Sequence, residues 1–269
     1  MNTTNWQVEG SCGEMIHGTT DEPDGLLSDV VLIGHGFKGY KDYGMFPWLA
    51  KQMASLGHIV HRFNFSHSGM LADDGPFERP DLFEKDTWNK QVNDLSILVE
   101  KFSIDGKPMF VLGHSRGGAA CLLAAGRGRI DVDGVISLSA PSTCNPMPVE
   151  VQQELMSNGF IDSESFRTKQ MLRVGKCFLQ EQLDEPEAHD VLALVANIDA
   201  PVLLIHGEDD PTVSVDSAEA ILSQLQNGKL VRIEGGDHVF NTSNPFPLDG
   251  QPSQQLAEVW TTIRGFLTQ

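Results

Sequence analysis

Apolar residues fall into two alternating patterns along the chain. Short continuous runs, Val30-Val31-Leu32-Ile33, Met109-Phe110-Val111-Leu112, Gly134-Val135-Ile136-Ser137-Leu138 and Val202-Leu203-Leu204-Ile205, are what a strand covered on both faces requires. Residues 58–65, with Ile59, Val60 and Phe63, and residues 230–233 extend the strand set. Between them, Trp88, Val92, Leu95, Val99 and Phe102 recur at helical spacing, a stripe that packs against a sheet. Residues 45–56, 119–125, 217–225 and 254–267 read as further helices. Strands alternating with helices predict an α/β fold with a mostly parallel central sheet and helices on both faces. Ahead of this rhythm, Trp6-Gln7-Val8 and Met15-Ile16-His17 flank the turn-prone Gly10-Ser11-Cys12-Gly13 and predict a hairpin over residues 5–18. The polar stretch 19–25 and the Gly-, Pro- and Asp-rich stretch 69–83 read as surface loops.

The rhythm breaks after the sixth strand. About sixty residues separate Ala140 from Pro201, where a single crossover needs roughly a dozen or somewhat more. The excess predicts an inserted cap at residues 143–187, within a core made of residues 1–142 and 188–269. Helices are expected at 149–157 and 178–183 and a small hairpin at 166–174. Met147, Met156, Met171, Leu172, Phe178 and Leu179 give this segment more apolar surface than a solvent loop needs. They suit both a satellite core and a lid, and the segment follows a strand's carboxyl end, where open α/β sheets bind ligands.

A length of 269 residues suits one large domain with an insertion. Lys and Arg total 19 against 37 Asp and Glu, a net charge of -18, which argues against nucleic acid or an anionic membrane as partner. The opening residues lack a basic region followed by an apolar core, and no apolar stretch approaches a bilayer span, so a cytoplasmic protein is expected. Cys12, Cys121, Cys144 and Cys177 are widely spaced without a C-x-x-C and are expected to be reduced. His61, His67 and His114 show no metal-ligand spacing, and the glycines over 113–118 match no phosphate-binding pattern, so no metal and no cofactor is expected.

One apolar run leads directly into Gly113-His114-Ser115-Arg116-Gly117-Gly118 and then into the helix-like 119–125. A strand that turns sharply into a helix holds a serine in a strained conformation at the tip, with its hydroxyl exposed and the helix N-terminus behind it. Glycine on either side avoids a collision between a Cβ and the neighbouring elements. The pentapeptide alone also fits an ordinary strand-helix turn, so its partners decide. Serine needs an adjacent base that a third group orients. The order expected on an α/β sheet is nucleophile, acid, histidine, each at a strand's carboxyl end. His206-Gly207-Glu208-Asp209-Asp210-Pro211 follows one predicted strand and Gly235-Gly236-Asp237-His238 another, with Asp209 and Asp210 both open as the acid.

Together with the Gly34-His35-Gly36-Phe37 turn, these motifs resemble the α/β-hydrolase superfamily in order and spacing, from about residue 14 to the end. The His35-Gly36-Phe37-x-Gly39 turn, with a cap after the sixth strand, is similar to bacterial cinnamoyl or feruloyl esterases and serine-aminopeptidase-like hydrolases. The resemblance implies Ser115 as nucleophile, His238 as general base and then acid, and Asp210 as the orienting carboxylate, because the family's acid is the third residue after His-Gly. It also implies an oxyanion hole formed by the backbone N–H groups of Phe37 and Arg116, with His35 structural. The Arg116 side chain is expected to pair with a surface carboxylate rather than with substrate. The implied activity is hydrolysis of a small-molecule carboxylic ester through an acyl-enzyme. Amide or peptide cleavage by the same residues, and a ligand-binding protein that keeps the triad with little turnover, are the alternatives.

Overall fold

The apolar runs form the sheet that their pattern predicts, in a computed structural model that describes residues 2–25, 27–71 and 75–268. Strands β1 (Asn2–Glu9) and β2 (Met15–Glu22) make the expected antiparallel hairpin. They are followed by β3 (Val30–Gly34), helix α1 (Phe46–Ser55), β4 (Ile59–Asn64), the short α2 (Pro80–Phe83) and α3 (Trp88–Phe102). Next come β5 (Met109–His114), α4 (Arg116–Gly126) and β6 (Gly134–Leu138). Residues 143–187 contribute α5 (Val149–Asn158), β7 (Phe160–Glu164), β8 (Met171–Gly175) and α6 (Cys177–Asp184). Helix α7 (Val191–Val195), β9 (Val202–Gly207), α8 (Asp216–Leu222), β10 (Gly228–Ile233) and α9 (Gln254–Leu267) close the chain.

The main sheet runs β1-β2-β4-β3-β5-β6-β9-β10, and every pairing from β4 to β10 is parallel. Successive residues of a strand point to opposite faces, so a fully buried strand divides its side chains between two cores. Val30, Leu32, Val111, Val135 and Leu204 pack with Trp88, Leu95, Ala119 and Leu122 of α3 and α4. Val31, Ile33, Leu112, Ile136 and Ile205 pack on the other face with Leu49 and Met53 of α1 and Val259 and Ile263 of α9. Each fully buried Val, Leu, Ile or Met among them favours the fold by roughly 1.5–3 kcal/mol over its exposed state. Strand β3 lies between β4 and β5, so the chain leaves it in one direction and returns on its other side. The crevice at the carboxyl ends of β3 and β5 is therefore a topological switch point.

Three boundaries depart from the sequence reading. The stretch 19–25 is not all loop, because β2 continues to Glu22 and pairs with β4. Its polar residues are buried by pairing, Thr20 Oγ1 with His61 Nδ1 at 2.7 Å and Asp21 Oδ2 with Arg62 Nε at 3.0 Å. The stretch 69–83 is likewise more than surface loop, since Met70, Phe77 and Phe83 are buried in a cluster with Tyr40 and Leu172 of β8. Residues 72–74 of that expected loop lie outside the described residues. The small hairpin sits a few residues earlier than expected and pairs Phe160–Glu164 with Met171–Gly175, leaving Phe166 in the connection. All four cysteines are free. Among the described residues no helix is long and apolar enough to cross a membrane.

Candidate active site

Strand β5 ends at His114 and α4 begins at Arg116, so Ser115 alone makes the turn, at φ 54° and ψ -122°. A non-glycine residue in this region costs of order 1–3 kcal/mol and persists only where its surroundings enforce it. Here the Ser115 N–H donates to Leu138 O at 2.7 Å, and Ser115 O accepts from the Ala119 N–H at 3.1 Å. The turn closes only with glycine at 113, where a Cβ would stand 2.2 Å from Gly117 O. The Ser115 hydroxyl makes no cap hydrogen bond to α4, so the strained turn displays it rather than engaging it.

The turn after β9 is wrapped around Asp210, whose side chain has no exposed surface. Its Oδ1 accepts the backbone N–H groups of Thr212 at 2.8 Å and Val213 at 3.0 Å. Its Oδ2 lies 2.7 Å from His238 Nδ1 and 3.3 Å from His206 Nε2. Burial alone would push the Asp210 carboxyl up, but hydrogen bonds from His206, His238 and the Val213 N–H outweigh it and hold it well below the usual carboxylate range. The carboxylate is thus ionised, and it fixes the His238 ring with Nδ1 as donor. Asp209 is exposed, and its backbone N–H donates to Gly236 O at 3.0 Å.

A second histidine positions the first. His114 Nε2 donates to the backbone O of His238 at 2.7 Å, and the two rings lie 4.8 Å apart. Burial, with the neighbouring His238 adding to it, pushes His114 down to about 3, so it stays a neutral donor at ordinary pH. His35 is held within its own loop: its Nδ1 donates to Gly36 O at 2.8 Å, and its Nε2 accepts from the Phe65 N–H at 3.4 Å.

Ser115 and His238 line one cavity of about 210 Å³ with Gly36, Phe37, Lys38, Tyr43, Phe46 and His114. Ser165, Phe166 and Arg167, from the connection between β7 and β8, form part of its wall. Among the described residues no hydrogen bond joins the Ser115 hydroxyl to the His238 ring. The two share the cavity, and such contacts often tighten only around substrate. The loop carrying Phe37 lies against the serine: a Cβ on Gly36 would be 3.0 Å from Ser115 Cβ. Arg116 opens α4, so its N–H has no partner within the helix, and the Phe37 N–H has no hydrogen-bond acceptor among the described residues. A larger hollow of about 500 Å³ beside α1 is lined by Pro23, Asp24, Lys51 and Leu56, with no histidine in its wall. No group of three His, Cys, Asp or Glu among the described residues is placed to hold a metal ion.

The structure thus gathers Ser115, His238 and Phe37 at one cavity and sets Asp210 behind His238. It corrects the expected partner of the Arg116 side chain. Arg116 pairs at 3.1 Å with Asp86, a carboxylate that is itself buried. Burial pushes Asp86 up to about 6 against the pull of Arg116 and of a hydrogen bond from Gln91. Sequence reasoning also missed what His206 and His114 do. His206 stood in the motif but carried no role, and neither contact has a local signal.

Residues 30–259 match the model of the alpha/beta hydrolase family. No curated protein matches the chain in sequence. Among solved structures, the chain is similar to Est1E from Butyrivibrio proteoclasticus with ferulic acid bound, at 20% identity and a TM-score of 0.74, covering 98% of each chain. The esterase domain of a Rhodothermus marinus protein is 20% identical with a TM-score of 0.67, covering 99% of this chain and 98% of that one. Alpha/beta hydrolase domain-containing protein 10 from mouse is 18% identical with a TM-score of 0.73, covering 98% of each. At these identities the likeness shows the fold.

Proposed function

The chain belongs to the alpha/beta hydrolase family, and on that premise we propose that it cleaves carboxylic esters through an acyl-enzyme formed on Ser115. The observation that carries this reading is the 2.7 Å hydrogen bond from His238 Nδ1 to the buried Asp210, made at the edge of a cavity that Ser115 shares. With Nδ1 held as donor, His238 presents Nε2 as the base that takes the serine proton. Ser115 Oγ attacks the ester carbonyl, and the oxygen that gains charge is met by the backbone N–H groups of Phe37 and Arg116. These donors are fixed before the charge develops, which is why such groups are worth roughly a hundredfold to a thousandfold in rate each. His238 then gives its proton to the leaving alcohol and draws one from water for the second half-reaction. Asp210 stays ionised throughout and steadies the imidazolium. No cofactor enters these steps.

Residues 143–187 act in this reading as a cap, because Ser165, Phe166 and Arg167 complete the cavity wall. The rings of Phe37, Tyr43, Phe46 and Phe166 favour a flat aromatic acyl group of the hydroxycinnamoyl kind. The solved likeness with ferulic acid bound supports the same choice. The test is labelling by a fluorophosphonate probe followed by a panel that varies acyl group and leaving group separately. A mass increment on the Ser115 peptide, with multiple turnover of hydroxycinnamoyl esters ahead of short aliphatic esters and aminoacyl anilides, is the expected result. A label that survives Ser115→Ala would contradict the mechanism, and preferred turnover of anilides would contradict the substrate class.

A further inference from the structure

The Arg116 side chain takes no part in the steps above, yet it is the most heavily engaged group of the elbow. It is 9% exposed and does not line the cavity. Its Nη2 lies 3.1 Å from Asp86 Oδ2, the same oxygen that accepts from Gln91 Nε2 at 2.7 Å. The guanidinium carbon stands 4.7 Å from the ring centre of Phe178, 4.9 Å from Trp88 and 5.7 Å from Phe37. Three aromatic faces thus surround a desolvated cation, a favourable placement for a planar charge.

As a device for stability the pair is poor. Arg116 Nε and Asp86 Oδ1 are buried with no hydrogen bond, and the Nη2 contact with Asp86 is an ion pair without hydrogen-bond geometry. Buried ion pairs with unmet hydrogen bonds are often matched or bettered by apolar residues of similar volume. What the pair does achieve is connection. Phe37 and Arg116 carry the two proposed oxyanion donors, Phe178 lies on α6 of the inserted segment, and Trp88 opens α3. Trp88 Nε1 in turn donates to Cys144 O at 3.0 Å, at the start of that segment. A second tie runs from Lys38, next to Phe37, whose Nζ donates to Glu164 O at the end of β7.

We propose that the Arg116 side chain is a positioning group for the oxyanion hole. Clamped by Asp86 and the rings of Trp88 and Phe178, it fixes the spacing of the Phe37 and Arg116 N–H groups and couples that spacing to the seating of α6. This rests on the serine-esterase reading.

The test compares wild type with Arg116→Gln, Asp86→Asn, the double variant and Phe178→Leu. It reads kcat, KM, the rate of fluorophosphonate labelling and Tm. Each single change at the ion pair lowers kcat and the labelling rate by about tenfold to a hundredfold while KM moves less than about threefold. The double variant leaves no charge unpaired, so its Tm recovers relative to the single variants while its kcat stays low. Phe178→Leu keeps the ion pair and most of the apolar volume and still lowers kcat, by roughly threefold to tenfold. A double variant whose kcat returns with its Tm would reduce Arg116 to a structural charge and overturn the proposal, as would wild-type kcat in Phe178→Leu. Failure of the wild-type protein to label at Ser115 would instead refute the esterase reading, so the two failures are distinguishable.

Discussion

His238 Nδ1 lies 2.7 Å from Asp210 Oδ2, whereas Asp209, one residue earlier in the same turn, is exposed. The adjacent aspartates share one turn but only Asp210 meets the histidine, so they make an internal control. Asp210→Asn leaves the shape of the turn but removes the acceptor that selects the His238 tautomer, and kcat falls by about 10⁴-fold. Asp209→Asn keeps kcat within about threefold, because surface substitutions away from such contacts change little. Steady-state kinetics on both variants decide this, and equal losses would contradict the geometry.

Gly36 holds the Phe37 loop against the nucleophile. In Gly36→Ala the new methyl group meets Ser115 Cβ at 3.0 Å and His114 O at 3.2 Å, so one of them must shift by a few tenths of an ångström. The donor spacing moves with it, and kcat drops by about tenfold to a hundredfold with KM nearly unchanged. An unchanged kcat would show that the loop yields freely and that the Phe37 N–H is not a fixed donor.

Phe166 is 88% exposed and yet lines the cavity from the connection between β7 and β8. Such a ring does little for the fold, so Phe166→Ala changes stability by less than about 0.5 kcal/mol. Its effect falls on recognition: KM for aromatic acyl esters rises about tenfold, while KM for acetyl esters stays within about twofold. Equal changes for both ester classes, measured on the same preparation, would remove Phe166 from substrate binding.

Buried histidines set the acid limb of stability. Burial lowers His61 to about 3, below the 6.5 of an unfolded chain. Between those values the unfolded state takes up a proton that the folded state refuses. Stability is therefore fully present above about pH 6.5 and falls as pH drops, by about 1.4 kcal/mol per pH unit for one such ring. Burial lowers His35, His67 and His114 in the same sense, while Asp86 and Asp94, raised by burial, act in the opposite direction. The difference between wild type and His61→Gln isolates the one ring. Urea unfolding from pH 7 to pH 5 gives a shallower slope for the variant, and parallel slopes would show that His61 is protonated in the folded protein.

The sheet was legible because a strand covered on both faces carries a continuous apolar run, and each such run became a central strand. Helix α9 was legible over the expected 254–267, and Ser253 caps its first turn by accepting the Leu256 N–H at 2.9 Å. The end of β2 was not, since Thr19, Thr20 and Asp21 look like loop until β4 supplies partners for them. Phe77 and Phe83 were hidden for a similar reason, inside a stretch whose Gly, Pro and Asp content signals a turn but whose rings pack with Tyr40. At the site, Ser115 and His238 stood out because each follows a predicted strand in the expected order, whereas the choice of Asp210 over Asp209 came from the family resemblance. Asp86 did not stand out, because a carboxylate thirty residues before Arg116 has no local pattern that announces the pair.

The most direct test of the central claim is kcat for Ser115→Ala on the best ester of the panel, with Tm recorded beside it. The expected result is a loss on the order of 10⁶-fold with the fold retained. Ester turnover within tenfold of wild type in a folded Ser115→Ala protein would contradict that claim.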